Sequence, residues 1–411
     1  MRVLHVTQGY APALGGTELL IQRVSEQLHG HFGDDVTVYT TNCLNGEAFF
    51  TPSLPALPVG WDRVGALPVR RFAVSRRWSH FWRGPQAVAW RLGLPGHETL
   101  RNWAGGPVVP GLRAAIRDHK ADVVMASSFP LLHMFDTLHG GRASGARVVL
   151  HGGLHPHDRW GFERRGIYEA IRAADAYIAN TSWEADYVLA RGASADRVHA
   201  VGVGVDMAPY EGLTTRDARF RLGLPPGPVV GFIGQIAAHK GVDALLEAMP
   251  DVWKAHPDTT LIIAGGRTLF TPHVEATVAS WPPQWRGRTR VWVDFPSSRK
   301  ALLFAALDLL AYPSGYESFG IAFLEAWAAG KPVIGTTNGA IPAVVADGET
   351  GLLVPYQDAG ALAHAIRQLL DQPAAAAALG AEGRARTLAR YTWPHIAARF
   401  REIYTAVLAR G

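Results

Sequence analysis

Two glutamates with seven residues between them carry the sharpest chemistry in this sequence. Glu317 and Glu325 lie in Pro313-Ser314-Gly315-Tyr316-Glu317-Ser318-Phe319-Gly320-Ile321-Ala322-Phe323-Leu324-Glu325-Ala326. A carboxylate planted among Ile321, Phe323 and Leu324 needs hydroxyl donors to be tolerated there, and a ribose offers a pair of them. The segment follows the apolar run Leu309–Tyr312 and is expected to turn into a helix near Ser318–Phe319. The amides of Phe319 and Gly320 would then be free at a helix N-terminus, the natural seat of a phosphate. On this reading Glu325 sits about two turns into the helix, and both carboxylates can face one cleft. The blander alternative is a capping carboxylate followed by an unrelated helix glutamate. It fits less well, because apolar neighbours surround Glu325.

Two more segments point the same way. After the run Val229–Ile233 comes Gly234-Gln235-Ile236-Ala237-Ala238-His239-Lys240-Gly241, again entering a helix. A lysine at a helix start gains nothing from the dipole, so Lys240 makes sense beside an anionic diphosphate. A surface lysine next to a turn is the alternative. Near the N-terminus, Gly15-Gly16-Thr17-Glu18 opens a helix, and paired glycines let backbone amides approach a ligand closely. Taken alone, such a pair is equally well an ordinary turn.

Positioning these groups requires strands that end where they begin. The first half alternates short apolar runs with helical patterns. Strands are expected at Val3–Thr7, Val36–Tyr39, Val123–Ala126, Val148–His151, Ala176–Ala179 and Val198–Val201, with helices such as Glu18–Leu28, Gly111–Asp118 and Ser182–Leu189 between them. The rhythm pauses over the polar stretch Asp206–Arg219 and Pro225-Pro226-Gly227-Pro228, then restarts. The second set is Val229–Ile233, Leu261–Ala264, Val291–Phe295, Leu309–Tyr312, Val333–Gly335 and Leu352–Val354, with helices such as Val242–Met249 and Ile321–Ala329. Alternation of this kind defines an α/β chain with two doubly wound parallel sheets. The expected division is a first domain over 1–205, a hinge over 206–225 and a second domain over 226–391. A terminal helix over 392–411 lies beyond the second sheet. Residues 45–110 show no clean period, and the alanine run at 374–378 reads as helix.

Bulk properties agree with two domains. The chain has 411 residues, 48% hydrophobic and 18% charged, enough apolar material for two cores. Forty Lys and Arg against 35 Asp and Glu leave a formal charge of +5. The basic residues are dispersed, which argues against a dedicated nucleic-acid surface. Cys43 stands alone, so no intrachain disulfide forms and a reducing, cytoplasmic location is expected. No run approaches 18 apolar residues, and the first strand is too short for a signal sequence.

The segment 309–354 closely resembles retaining GT-B glycosyltransferases of glycosyltransferase family 4. The resemblance rests on Glu317 and Glu325, on Lys240-Gly241, and on Gly339-Ala340-Ile341-Pro342 with Gly351-Leu352-Leu353-Val354. It extends more weakly to Gly15-Gly16 and the tail. It implies a GT-B fold in which two Rossmann-like domains enclose a nucleotide-sugar donor and the last helix crosses back to the first, acceptor-side domain. It assigns the ribose hydroxyls to Glu325 and the hydroxyls of the transferred sugar to Glu317. The diphosphate falls to Lys240 and to the backbone of Ser318, Phe319, Gly320 and Ile321. Gly16, Gly265 and Phe295 fall among the donor-binding positions, and His151, in Leu150-His151-Gly152-Gly153, matches the family's cleft histidine. The implied reaction is retaining transfer with no metal or other cofactor, to an acceptor that the sequence does not identify.

One departure stands out. The family usually has arginine where this chain has Gln235, and a neutral donor binds phosphate about half as strongly as a charged one. Arg267, after Gly265-Gly266, or Arg299 would have to compensate. Three other readings stay open: a GT-B phosphorylase, a nucleotide-sugar epimerase, and a non-catalytic nucleotide-sugar binding protein. Further signals are weak. His151, His155, His157 and Asp158 share one loop without convincing zinc spacing. The basic and aromatic stretch 70–91, with Arg76-Arg77-Trp78, Trp82-Arg83 and Trp90-Arg91, suits either a peripheral membrane contact or an acceptor-side insertion packed on itself. Trp281 and Trp285 are expected to pack locally.

Overall fold

The computed structural model describes residues 1–13 and 15–410. The side chains of residues 77–80, Arg77 and Trp78 among them, lie outside the described residues. The chain divides into two compact units, Met1–Val203 with Trp393–Gly411, and Gly204–Thr392.

In the first unit, eight strands form one sheet. They are β1 (Arg2–Thr7), β2 (Asp35–Thr41), β3 (Gly60–Val64), β4 (Leu67–Phe72), β5 (Val123–Ser127), β6 (Arg147–His151), β7 (Ala176–Ala179) and β8 (Val198–Ala200). Their spatial order is β3-β4-β2-β1-β5-β6-β7-β8. Every pairing is parallel except β3 with β4. The central strands are apolar on both faces because helices cover both. Val3, Leu4, Val124 and Val148 are fully buried or nearly so, each such side chain contributing roughly 1.5–3 kcal/mol.

The terminal helix Trp393–Ala409 belongs to this unit. Its Tyr404 hydroxyl lies 3.0 Å from His5 Nε2, and Arg401 Nε donates to Asp34 Oδ2 at 2.9 Å. The chain thus returns across nearly 400 residues to cover its own first strand.

The stretch 45–110 is more ordered than its composition suggests. It holds the β3–β4 hairpin and helices Arg76–Arg91 and His97–Gly105. Strand alternation is obscured because β3 lies at the sheet edge with Trp61, Asp62 and Arg63 exposed, and the long helix carries Pro85 in its interior. Arginines lie over local rings here: Arg70 is 4.8 Å from the Phe72 centroid and Arg83 is 4.6 Å from that of Phe50.

In the second unit, β9 (Val229–Ile233), β10 (Thr260–Gly265), β11 (Thr289–Val293), β12 (Leu309–Ala311), β13 (Val333–Thr336) and β14 (Gly351–Val354) run all parallel in the order β11-β10-β9-β12-β13-β14. The stretch 206–225, expected as a hinge, lies inside this unit. It forms helix Thr215–Leu222, capped by the Thr214 hydroxyl. Arg219 ties it down by donating to the Ala306 carbonyl and to Asp308 Oδ2, while Ala218 packs on Ala305 and Ala306. Trp281 and Trp285 pack on the buried Trp253, with ring centroids 5.1 and 5.4 Å away. Among the described residues no helix is long and apolar enough to cross a membrane.

Candidate active site

In the second unit, β9 and β12 are neighbours, so the loops that follow them are brought side by side at the C-terminal edge of the sheet. Lys240 Nζ lies 2.7 Å from Glu317 Oε1, with only 14% and 11% of the two side chains exposed. The loops are locked by the Gly315 amide, which donates to the His239 carbonyl at 2.8 Å. Gly241 must be glycine: its φ is 74°, and a Cβ would fall 2.0 Å from the Pro313 carbonyl oxygen. Tyr312, at the end of β12, lies beneath the pair, its ring centroid 5.9 Å from Lys240 Nζ. Burial first, and then Glu317 and Glu325, hold its hydroxyl proton far more tightly than usual. Both carboxylates therefore act on one phenol.

The helix that carries Glu325 spans Ile321–Ala328, starting where the expected Ile321–Ala329 does and not as early as Ser318–Phe319. Gly320 sets this boundary because its φ of 92° is left-handed. Ser318 and Phe319 precede the helix, which leaves Ile321 as the first helical residue and Glu325 the fifth, about one turn in. Burial raises the Glu325 carboxyl above its ordinary range, while Lys300, at 2.5 Å from Oε1, opposes the shift. Lys300 is a residue that sequence reasoning missed. The signal available was Arg299-Lys300 at the opening of helix Lys300–Ala306. Phe319 is buried with its ring against Tyr391, centroids 5.4 Å apart.

Gln235 is exposed in the loop after β9. Behind it the backbones touch: a Cβ on Gly265 would meet the Gly234 carbonyl oxygen at 1.6 Å. Arg267, a candidate to replace the missing charge, is engaged by Glu275 at 3.5 Å and Asp294 at 3.9 Å. Arg299 is exposed and Phe295 half-buried beyond the end of β11.

In the first unit, Gly16 begins helix Gly16–Gly30. A side chain at Gly15 would meet Glu18 Oε2 at 2.1 Å. Glu18 accepts from the Gln8 amide at 2.9 Å, and burial raises its carboxyl. His151 ends β6 fully buried, both ring nitrogens engaged: Nδ1 is 2.7 Å from Ser127 Oγ and Nε2 is 2.9 Å from Asn180 Oδ1. Since an amide oxygen only accepts, Nε2 carries the proton and the serine donates to Nδ1. Burial brings this imidazole down to about 4, so it is neutral near pH 7. To reach a sugar hydroxyl, it must exchange one of these bonds.

The loop after His151 is held by a second missed residue, Glu184. This buried carboxylate accepts from the amides of Gly153, Leu154 and Asn180 and from the Tyr177 hydroxyl, at 2.7–3.1 Å. Its sequence signal was Thr181-Ser182-Trp183-Glu184, a capping-box spacing in which the Thr181 hydroxyl takes the Glu184 amide. Asp158 caps Gly161, and among the described residues no three His, Cys, Asp or Glu side chains gather as a metal-binding group.

Two doubly wound units, with the last helix returned to the first and paired lysine–carboxylate contacts in the second, define a glycosyltransferase of the GT-B fold. Residues 227–372 match the family described as Glycosyl transferases group 1, and residues 15–204 match the Glycosyl transferase 4-like domain. Alpha-maltose-1-phosphate synthase of Mycolicibacterium smegmatis is 34% identical over 339 residues, covering 74% of this chain and 86% of that protein. D-inositol 3-phosphate glycosyltransferase of Rhodococcus jostii is 34% identical over 256 residues, 58% of this chain but only 54% of that protein. The structure of Anabaena HepE in complex with UDP and glucose superposes with a TM-score of 0.71 at 18% identity, covering 98% of this chain and 99% of that one. The chain belongs to the group 1 glycosyl transferases, glycosyltransferase family 4.

Proposed function

We propose that the protein transfers a sugar from a nucleoside-diphosphate donor to an acceptor hydroxyl, with retention at the anomeric carbon and without a metal ion. The observation that carries this reading is the Lys240–Glu317 contact beside the Ile321–Ala328 helix start, with Glu325 one turn in. Lys240 and the first-turn amides supply positive charge for a departing diphosphate, the main catalytic contribution in such a site. Glu325 has the burial and the donor hunger that ribose hydroxyls satisfy. Glu317 holds Lys240 in the free protein and takes hydroxyls of the sugar in the complex. His151 ends β6 and Gly16 opens helix Gly16–Gly30 in the first unit, which we assign to the acceptor side. UDP and glucose in the HepE structure make UDP the first donor nucleotide to try.

Calorimetric titration with UDP, GDP, ADP and dTDP, in the presence of EDTA, tests the donor site. One nucleotide should bind at micromolar strength and be lost in Glu325→Ala. Anomeric proton NMR of the product, formed with EDTA present, then tests retention and metal independence together. Failure of all four nucleotides to bind would refute the proposal.

A further inference from the structure

Glu325 is buried with one counter-charge and one open oxygen. Every side chain of helix Ile321–Ala328 after the first is buried. Lys300 Nζ stands 2.5 Å from Glu325 Oε1, and among the described residues no other cation pairs with this carboxylate. Among the described residues Lys300 alone hydrogen-bonds it, which leaves Oε2 without a protein donor. The lysine comes from a fixed frame. It opens helix Lys300–Ala306, in which Leu303 and Phe304 are fully buried, while its own side chain stays half-buried.

The remaining titratable groups that face Glu325 among the described residues bring it no positive charge. Asp206 adds a second negative charge that, after burial, raises the carboxyl. The Tyr210 and Tyr312 hydroxyls are held protonated, by burial first and then by neighbouring carboxylates. Burial and Asp206 therefore favour the neutral acid, and Lys300 opposes them. The balance matters for a ligand that offers hydroxyl donors. A carboxylate only accepts, whereas the protonated form turns one oxygen into a donor and no longer matches two donating hydroxyls.

We propose that Lys300 is a positioning residue of the donor site, which neutralises Glu325 from the Oε1 side, leaves Oε2 open to a ribose hydroxyl and so selects ribonucleoside over 2′-deoxyribonucleoside diphosphates. This rests on the assignment of Glu325 to the ribose in the preceding section and adds the residue that makes the carboxylate fit for it. A ribose brings two neighbouring hydroxyls to the carboxylate. A 2′-deoxyribose brings one, and leaves part of a buried charge unmet.

The test is calorimetry on the full chain with UDP and 2′-deoxy-UDP, at pH 7 and pH 9, or with the matched pair of whichever base binds. The ratio of the two affinities is read, because the ionisation of the diphosphate cancels in it. Wild type should favour UDP about tenfold or more, the worth of one hydrogen bond to a charged group, with the same ratio at both pH values. Lys300→Met should lose most of that preference at pH 7 and regain part of it at pH 9. Without the lysine the carboxyl rises further, and base restores its charge. Lys300→Arg should keep the preference. Lys300→Gln should behave as Lys300→Met and takes its place if that variant fails to fold. An unchanged ratio in the neutral variants, even with both nucleotides weakened equally, would overturn the proposal, since the lysine would then only anchor its helix. So would a wild type that binds the two forms equally. Nucleotide binding that is absent in wild type, or that survives Glu325→Ala, would refute the donor-site reading and this proposal with it. Binding lost in Glu325→Ala beside an unchanged ratio in Lys300→Met would overturn this proposal alone.

Discussion

Lys240 and Glu317, 77 residues apart in the chain, meet at 2.7 Å because β9 and β12 are adjacent and their following loops are bonded backbone to backbone. The pair is mostly shielded from water, so removing one member leaves the other poorly solvated. Lys240→Met is expected to weaken nucleoside-diphosphate binding about tenfold or more, since a charged hydrogen bond contributes ~1.5–3 kcal/mol. If Glu317 positions Lys240, Glu317→Gln weakens binding by itself but adds little to Lys240→Met. A calorimetric double-mutant cycle checks this, and strict additivity would count against the positioning role.

Glu325 should show a trade-off between stability and binding. Its folded carboxyl is raised by burial, so its favourable contribution is complete below the ordinary carboxylate range and is lost as pH rises through the folded value. Glu325→Gln is therefore expected to melt higher than wild type at pH 7, by about 2–4 °C for each kcal/mol relieved. Nucleotide binding should fall about tenfold to a hundredfold through lost charged hydrogen bonds to the ribose. The melting difference should shrink toward pH 4, and a variant that matches wild type in both measurements would refute the assignment.

Gln235 is exposed, so Gln235→Arg meets no packing obstacle. Adding a guanidinium near Lys240 should tighten nucleoside-diphosphate binding about fivefold, the gain from replacing a neutral by a charge-assisted bond. The gain should fall between low and high salt, because an exposed charge is screened. Titration at two ionic strengths measures it, and an unchanged affinity at low salt would remove position 235 from the diphosphate site.

Acid should destabilise the first unit through its buried histidines. His151 and His133 are brought down to about 4 and His5 to about 3, in each case chiefly by burial. Groups held neutral in this way contribute stability that is present above the unfolded value near 6.5 and lost as pH falls toward the folded one. Between pH 6.5 and 5 each costs up to ~2 kcal/mol, since one unit is ~1.4 kcal/mol. Urea midpoints at pH 7 and pH 5 should separate clearly, and His151→Asn should narrow the gap. An equal gap in the variant would mean that His151 is not the neutral, fully bonded group described above.

Much of this molecule was legible because parallel strands covered on both faces are apolar throughout, and all twelve strands expected from such runs are present within one or two residues at their ends. The β3–β4 hairpin was not, because an edge strand with Asp62 and Arg63 on its surface offers no unbroken apolar run. The helix inside 206–225 was not legible for a related reason. Helix Thr215–Leu222 has little apolar surface of its own and is held by Arg219 reaching Ala306 and Asp308, groups nearly 90 residues away.

By itself the sequence determined the two-domain α/β class and the family, and it singled out Lys240, Glu317 and Glu325 as candidates, since these readings depend on residue type and local spacing. The tertiary structure decided which groups face each other. It brought Lys300 to Glu325, both carboxylates to Tyr312, Ser127 and Asn180 to His151, and Glu184 to the amides of the following loop. Those pairings depend on strand order and on where one glycine, Gly320, starts a helix. Electrostatic and hydrogen-bond energies follow distance in space, which neighbours in sequence do not specify.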